Sequence, residues 1–182
     1  VVQQEVLSDT HSFHRALIHV LRQDPDVIVV GEMRDQDAIS AALAAAETGH
    51  LVIATLHSPN VTHAFERITG VFEGSLQRQI IIQLANSLQA IIAQDLVPSA
   101  DRTRRLLAYE LLVATGAVRN IIRENHKHML ENAMQTGAKD GMQLMDASLF
   151  DLYSQALITY DTALNRAFNP DRIAKRAATG NT

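Results

Sequence analysis

Two short apolar runs in this chain each end on a side chain able to do acid–base chemistry. Asp24-Pro25-Asp26-Val27-Ile28-Val29-Val30-Gly31 runs into Glu32, and Leu51-Val52-Ile53-Ala54-Thr55-Leu56 runs into His57. A carboxylate in such a position can orient or deprotonate an attacking water, help worth typically about 10²–10⁴ in rate. An imidazole can donate a hydrogen bond to an anion from one nitrogen while a neighbour holds the other. Each has a plain structural alternative: Glu32 as a solvated strand-end glutamate, His57 as a structural histidine. His50 follows Thr48-Gly49 at a helix end. It either joins the chemistry or completes the negative end of that helix, with Gly49 in the left-handed position beyond it. Arg34 and Glu47 flank the same edge and could pair with each other or across a subunit interface.

These groups need elements to hold them. Between the two runs, Gln36 to Glu47 places Ala38, Ile39, Ala42, Leu43 and Ala46 at helical spacing. Strand, helix, strand is a βαβ unit with parallel strands and a right-handed crossover. Glu32 and His57 then sit at the carboxyl ends of neighbouring strands, the edge where open α/β sheets bind ligands.

The surrounding pattern is also readable. Ser12 to Gln23 predicts a helix with Ser12 as its N-cap, stopped by Asp24-Pro25. A turn at Ser58-Pro59-Asn60 leads into a short helix over 61–68. A longer helix follows over about 75–90, with Leu76, Ile80, Leu84 and Leu88 along one face. Residues 91–97 and 104–113 read as a hairpin around 98–103. From Gly116 the pattern is helical, with breaks near Gly137 to Gly141 and at Thr159. The polar stretch after Asn169 is expected to fray.

A chain of 182 residues suits one compact domain with a small appendage, and 47% hydrophobic residues suffice for a core. The net charge of −4 gives no reason to expect nonspecific nucleic-acid binding. Without cysteine there is neither a disulfide nor a thiolate metal site. His11 with His14, and His126 with His128, lack acidic partners at ligand spacing, so no metal site is expected among them. No apolar run approaches the ~20 residues of a membrane span, and no signal peptide is present. The expectation is a soluble, cytoplasmic protein.

"DPDVIVVGEMRD" resembles the atypical Walker B of the secretion ATPases, and "AAETGHLVIATLHS" resembles their His box. Within that superfamily the chain is similar to the PilT-like ATPases of type IV pilus retraction. "SFHRALIHVLRQ", "AVRNIIRE" (Ala117 to Glu124), "MQTG" and "GMQLMDASL" continue the likeness to about Pro170. Assembly and type II secretion members usually carry a tetracysteine zinc motif and read "GEIRD"; this chain has neither.

The resemblance implies a fold and roles. Residues 1–115 would be the C-terminal half of a RecA-like α/β core, a βαβ parallel sheet plus hairpin. Residues 116–182 would be a small helical domain carrying the "AVRNIIRE" motif. Glu32 would be the catalytic carboxylate for ATP hydrolysis, His57 would sense or contact the γ-phosphate, and His50 would stand with it among the nucleotide-binding residues. Gly31 occupies the usual Walker B aspartate position, which shifts Mg²⁺ binding to upstream acids. Ser58 stands where retraction enzymes commonly have threonine, and the hydroxyl survives. Arg119 and Arg123, four apart on one helix face, repel unless neutralised, and the motif implies an interface there.

The chain begins at Val1 and has no Gly-x-x-x-x-Gly-Lys-Ser/Thr; none of its lysines, Lys127, Lys139 and Lys175, follows a glycine. The family places that phosphate loop, an acidic Asp box and a PAS-like domain upstream. The expectation is therefore the C-terminal half of a motor, inactive alone. Intact, it would be a homohexamer binding ATP and Mg²⁺ mainly through upstream residues. It would lie in the cytoplasm, peripheral to the inner membrane, acting on the pilus platform protein. Two alternatives stand beside this: a noncatalytic docking or regulatory subunit of such a ring, and the ATPase of a related secretion system.

Overall fold

Ser12 is extended, and its Oγ accepts the Arg15 N–H at 3.2 Å, which starts helix α1, Phe13–Val20. The structure is a computed structural model and describes residues 2–179. A single 3₁₀ turn, Leu21–Gln23, extends α1 and ends at Asp24, whose φ of 51° is left-handed. The following proline disfavours the helical region for Asp24, and aspartate tolerates the left-handed one. Strand β1, Val27–Val30, then pairs in parallel with β2, Leu51–Ala54, Val27 lying opposite Leu51 and Val30 opposite Ala54.

Helix α2, Gln36–Glu47, crosses between them as expected. Asp35 caps it, Oδ1 accepting the Ala38 N–H at 2.8 Å. Ile28 and Val30 bury one face of the strand pair against Ala42 and Ala45, with Leu17, Val20 and Leu21 packed alongside. The opposite face is apolar and open: Val27, Leu51 and Ile53 are exposed, and Val29 is 71% exposed. Helix α3, Val61–Gly70, is followed by α4, Gly74–Ser87. α4 buries Ile80, Ile81, Leu84 and Ala85. Of the expected stripe, Ile80 and Leu84 are buried and Leu76 is exposed, with Ile81 and Ala85 completing the buried face. Leu88 leaves the helical region with ψ 134° and the helix stops sooner than its apolar spacing predicted.

Contacts divide the chain into two units. The first comprises the chain up to His57 together with Glu66–Leu88, and the second comprises Ser58–Phe65 and the chain from Gln89 onward. The second holds an antiparallel hairpin of β3, Ala90–Pro98, and β4, Arg105–Val113, with Ala90 opposite Val113. Helices α5, Gly116–Arg123; α6, Leu130–Thr136; α7, Met145–Ser154; α8, Tyr160–Arg166; and α9, Pro170–Thr179, follow. Val97 and Ala108 of the hairpin bury into one core with Met145, Leu149, Ile158, Ala163 and Ile173. The hairpin thus groups with the helices after it, whereas the boundary expected near Thr115 separates them. The shared apolar side of β3 and β4 is the physical reason.

Residues 170–179 form a packed helix rather than a frayed tail. Pro170 opens α9, a position where its missing N–H costs nothing. The Asp146 carboxylate accepts the N–H groups of Phe168 at 2.8 Å and Asn169 at 3.1 Å. Arg172 pairs with Glu131 at 2.6 Å, and Ile173 is fully buried. No helix among the described residues is long and apolar enough to cross a membrane.

Candidate active site

The ends of β1 and β2 are stitched together just beyond their last residues. Met33 N–H donates to the Thr55 carbonyl at 3.1 Å, and the Thr55 hydroxyl donates to the Gly31 carbonyl. That stitching carries Glu32 and His57 out side by side. His57 Nε2 lies 3.2 Å from Glu32 Oε1. The other carboxylate oxygen, Oε2, is gripped by Arg34, with Nη2 and Nε each at 2.5 Å.

The exposures differ in a useful way. The Glu32 side chain is 19% exposed and that of His57 77%, so the carboxylate is sheltered while the imidazole faces outward. The Arg34 hydrogen bond holds the Glu32 carboxyl below its ordinary range. Partial burial opposes this, and the charges of Arg34, His57 and Arg67 add to the lowering. Glu32 is therefore an anion at neutral pH. Its Oε2 is committed to Arg34, and its Oε1 faces His57 Nε2. Phe13, Glu32, Arg34, Asp35 and Ala38 line a depression of roughly 220 Å³ beside it.

Arg67 was not anticipated. It sits on α3 ten residues after His57 and donates from Nη1 to the His57 carbonyl at 3.1 Å. No motif marks it, because its partner is a backbone oxygen. His50 turns to the end of α2 instead: Nδ1 lies 3.1 Å from the Ala45 carbonyl and 3.0 Å from Thr48 Oγ1, with Gly49 at φ 96°. This is the capping geometry of the structural alternative. Glu47 and Arg34 do not pair with each other; Glu47 accepts from Gln83 Nε2 at 2.9 Å, and Arg34 takes Glu32. Arg119 and Arg123 lie on α5 in the second unit. That helix buries Val118 and Ile122 and leaves Ile121 half-buried.

The unit offers anion-seeking groups in His57, Arg34 and Arg67. Among the described residues no group of three or more histidine, aspartate or glutamate side chains could hold a metal ion.

Residues 7–103 match the family model of the type II/IV secretion system protein. The chain belongs to that family. Within the secretion-system family it is PilT-like. It is 44% identical over 172 residues to the twitching motility protein of Neisseria gonorrhoeae, covering 94% of this chain and 46% of that one. It is 41% identical over 171 residues to the type IV pilus retractation ATPase PilT of Pseudomonas aeruginosa, covering 94% of this chain and 49% of that one. A solved structure of the pilus retraction motor PilT with bound ADP superposes with a TM-score of 0.85 at 44% identity, covering 96% of this chain and 49% of that one. The chain spans about half the length of the curated relatives it matches. The α/β fold is that of a secretion-system ATPase domain, and Glu32, Arg34, His57 and Arg67 are the polar groups it gathers beyond the ends of β1 and β2.

Proposed function

We propose that this chain carries the water-positioning and phosphate-sensing part of an ATP-hydrolysing type IV pilus motor whose work is retraction. The observation that carries the proposal is the Glu32–His57 pair, 3.2 Å apart beyond adjoining parallel strands. Phosphoryl transfer depends chiefly on positioning and charge stabilisation, and this pair supplies both. Glu32, held ionised by Arg34, orients the attacking water through Oε1. His57 donates its Nε2 hydrogen to Glu32 when no nucleotide is near and to a terminal phosphate oxygen when one arrives. That exchange frees Oε1 for water at the moment it is needed. His50 stays close to the nucleotide edge through its hold on the end of α2.

The other parts of the reading follow the family resemblance. The helices from 116 onward transmit movement. Arg119, Arg123 and Glu47 face neighbouring subunits of a homohexamer. Residues beyond this chain hold the phosphates and Mg²⁺, and the ring works from the cytoplasmic side on the inner-membrane platform of the pilus. The relative whose structure holds ADP and the relatives named for twitching and retraction support the reading.

The test is ATP turnover by the intact protein that contains this chain. Glu32→Gln keeps the shape and removes the charge, so kcat falls by about 10²–10⁴ while nucleotide still binds. Turnover within threefold of the parent protein sinks the assignment.

A further inference from the structure

The chemistry proposed above leaves two buried carboxylates unused, Asp146, which accepts the Phe168 and Asn169 N–H groups, and Glu110. Glu110, on β4, is 5% exposed. Its Oε1 accepts the N–H of Val61 at 2.9 Å, and its Oε2 accepts the N–H of Met145 at 3.4 Å. Those are the first residues of α3 and α7. The first N–H groups of a helix have no partner within the helix, and that end is electropositive. A single carboxyl group therefore anchors two helix starts. Val61 is itself fully buried.

What lies next to Val61 gives this anchor its meaning. Only Ser58, Pro59 and Asn60 separate it from His57. That link is short and internally braced: Ser58 Oγ donates to the Asn60 carbonyl at 3.1 Å, and Asn60 Oδ1 accepts the His63 N–H at 2.8 Å. The far end of α3 returns Arg67 to the His57 carbonyl. The segment bearing His57 is thus tied on one side through Arg67 and on the other through Val61.

We infer that Glu110 is a positioning residue for His57, tying the segment that carries the histidine to the N-terminus of α7. The inference rests on the phosphate-sensing role proposed for His57. A shift of α7 is then felt at the histidine, and occupancy of the histidine is felt at α7, since coupling between two sites is reciprocal. α7 belongs to the core that also holds α8 and α9, so the tie gives nucleotide state a route into the helical part of the chain.

The test joins two measurements. In the intact protein, Glu110→Gln, His57→Ala and the double variant are compared by ATP turnover. A misplacement of about 1 Å can cost on the order of 10²-fold in rate. Glu110→Gln is therefore expected to lower kcat about 10- to 100-fold with KM for ATP within twofold. In the His57→Ala background it should lower kcat no further. In the same intact protein, amide hydrogen exchange of Met33, whose N–H is held by the Thr55 carbonyl, should speed up in Glu110→Gln while β1 amides keep their protection. Should Glu110→Gln fail to fold, Glu110→Asp, which keeps the charge but withdraws it by one methylene, takes its place with the same expectations. An undiminished effect of Glu110→Gln in the His57→Ala background overturns the inference. So does unchanged exchange at Met33. If His57→Ala turns over normally, the sensing role itself falls, and the exchange result alone decides whether Glu110 holds that segment.

Discussion

Ile173 tests the claim that the polar tail is a packed helix. Its side chain is fully buried in the core formed by Val97, Ala108, Met145, Leu149, Ile158 and Ala163. Ile173→Ala removes three carbons. At about 0.8 kcal/mol each they give roughly 2.4 kcal/mol of lost transfer energy. The cavity left behind adds to this, and measured losses for such truncations run about 2–5 kcal/mol. That is a large share of the ~5–15 kcal/mol that typically holds a domain together. Lys175, exposed two residues on, is the internal control: Lys175→Ala should stay within about 0.5 kcal/mol. Urea unfolding followed by circular dichroism reads both. If the second unit, of about 100 residues, melts separately, each kcal/mol moves its Tm by about 4–8 °C. Equal, near-zero losses for both variants would refute the packing of α9 and restore the frayed tail.

The remaining expectations are smaller or concern pH. A Cβ on Gly137 would meet Met142 Sδ at 2.7 Å and the Ala133 carbonyl at 2.8 Å; Gly137→Ala should therefore cost about 1–3 kcal/mol in a urea titration. Asp101 is held down to about 2 by the Ser99 hydroxyl and the Thr103 amide. Its contribution is fully present above the unfolded value of 3.8 and is lost as pH falls toward 2, so Asp101→Asn should flatten that part of the stability profile. Glu110 is raised, chiefly by burial. Its sign is opposite: stability present below the unfolded value is lost as pH rises through the folded one. Glu110→Gln should erase that alkaline-going loss when the unfolding free energy is measured from pH 4 upward.

The βαβ unit was legible because its signals are local. Two apolar runs and a helix with apolar residues at turn spacing all lie within neighbouring residues, and α2 matches its expected range, Gln36–Glu47. The Glu32–His57 pairing followed from parallel strands ending together. The unread parts depend on distant partners. Ile173 is one apolar residue in a polar stretch and makes no periodic stripe, so α9 showed only in its contacts with hairpin and helices. Arg34 chose the carboxylate two residues away over Glu47, a choice set by where β1 turns. Arg67 and Glu110 act on backbone atoms, which no side-chain pattern records.

The open face of the first unit carries a practical cost. Parallel strands are normally covered on both sides, yet Val27, Val29, Leu51 and Ile53 meet solvent together. A pair of strands this short also leaves two unprotected edges, each a template for another chain. Handled alone at high concentration, the 182-residue chain is a self-adhesive molecule. Its purification yield should depend more on mild detergent or dilution than on salt, because the adhesive surface is apolar rather than charged.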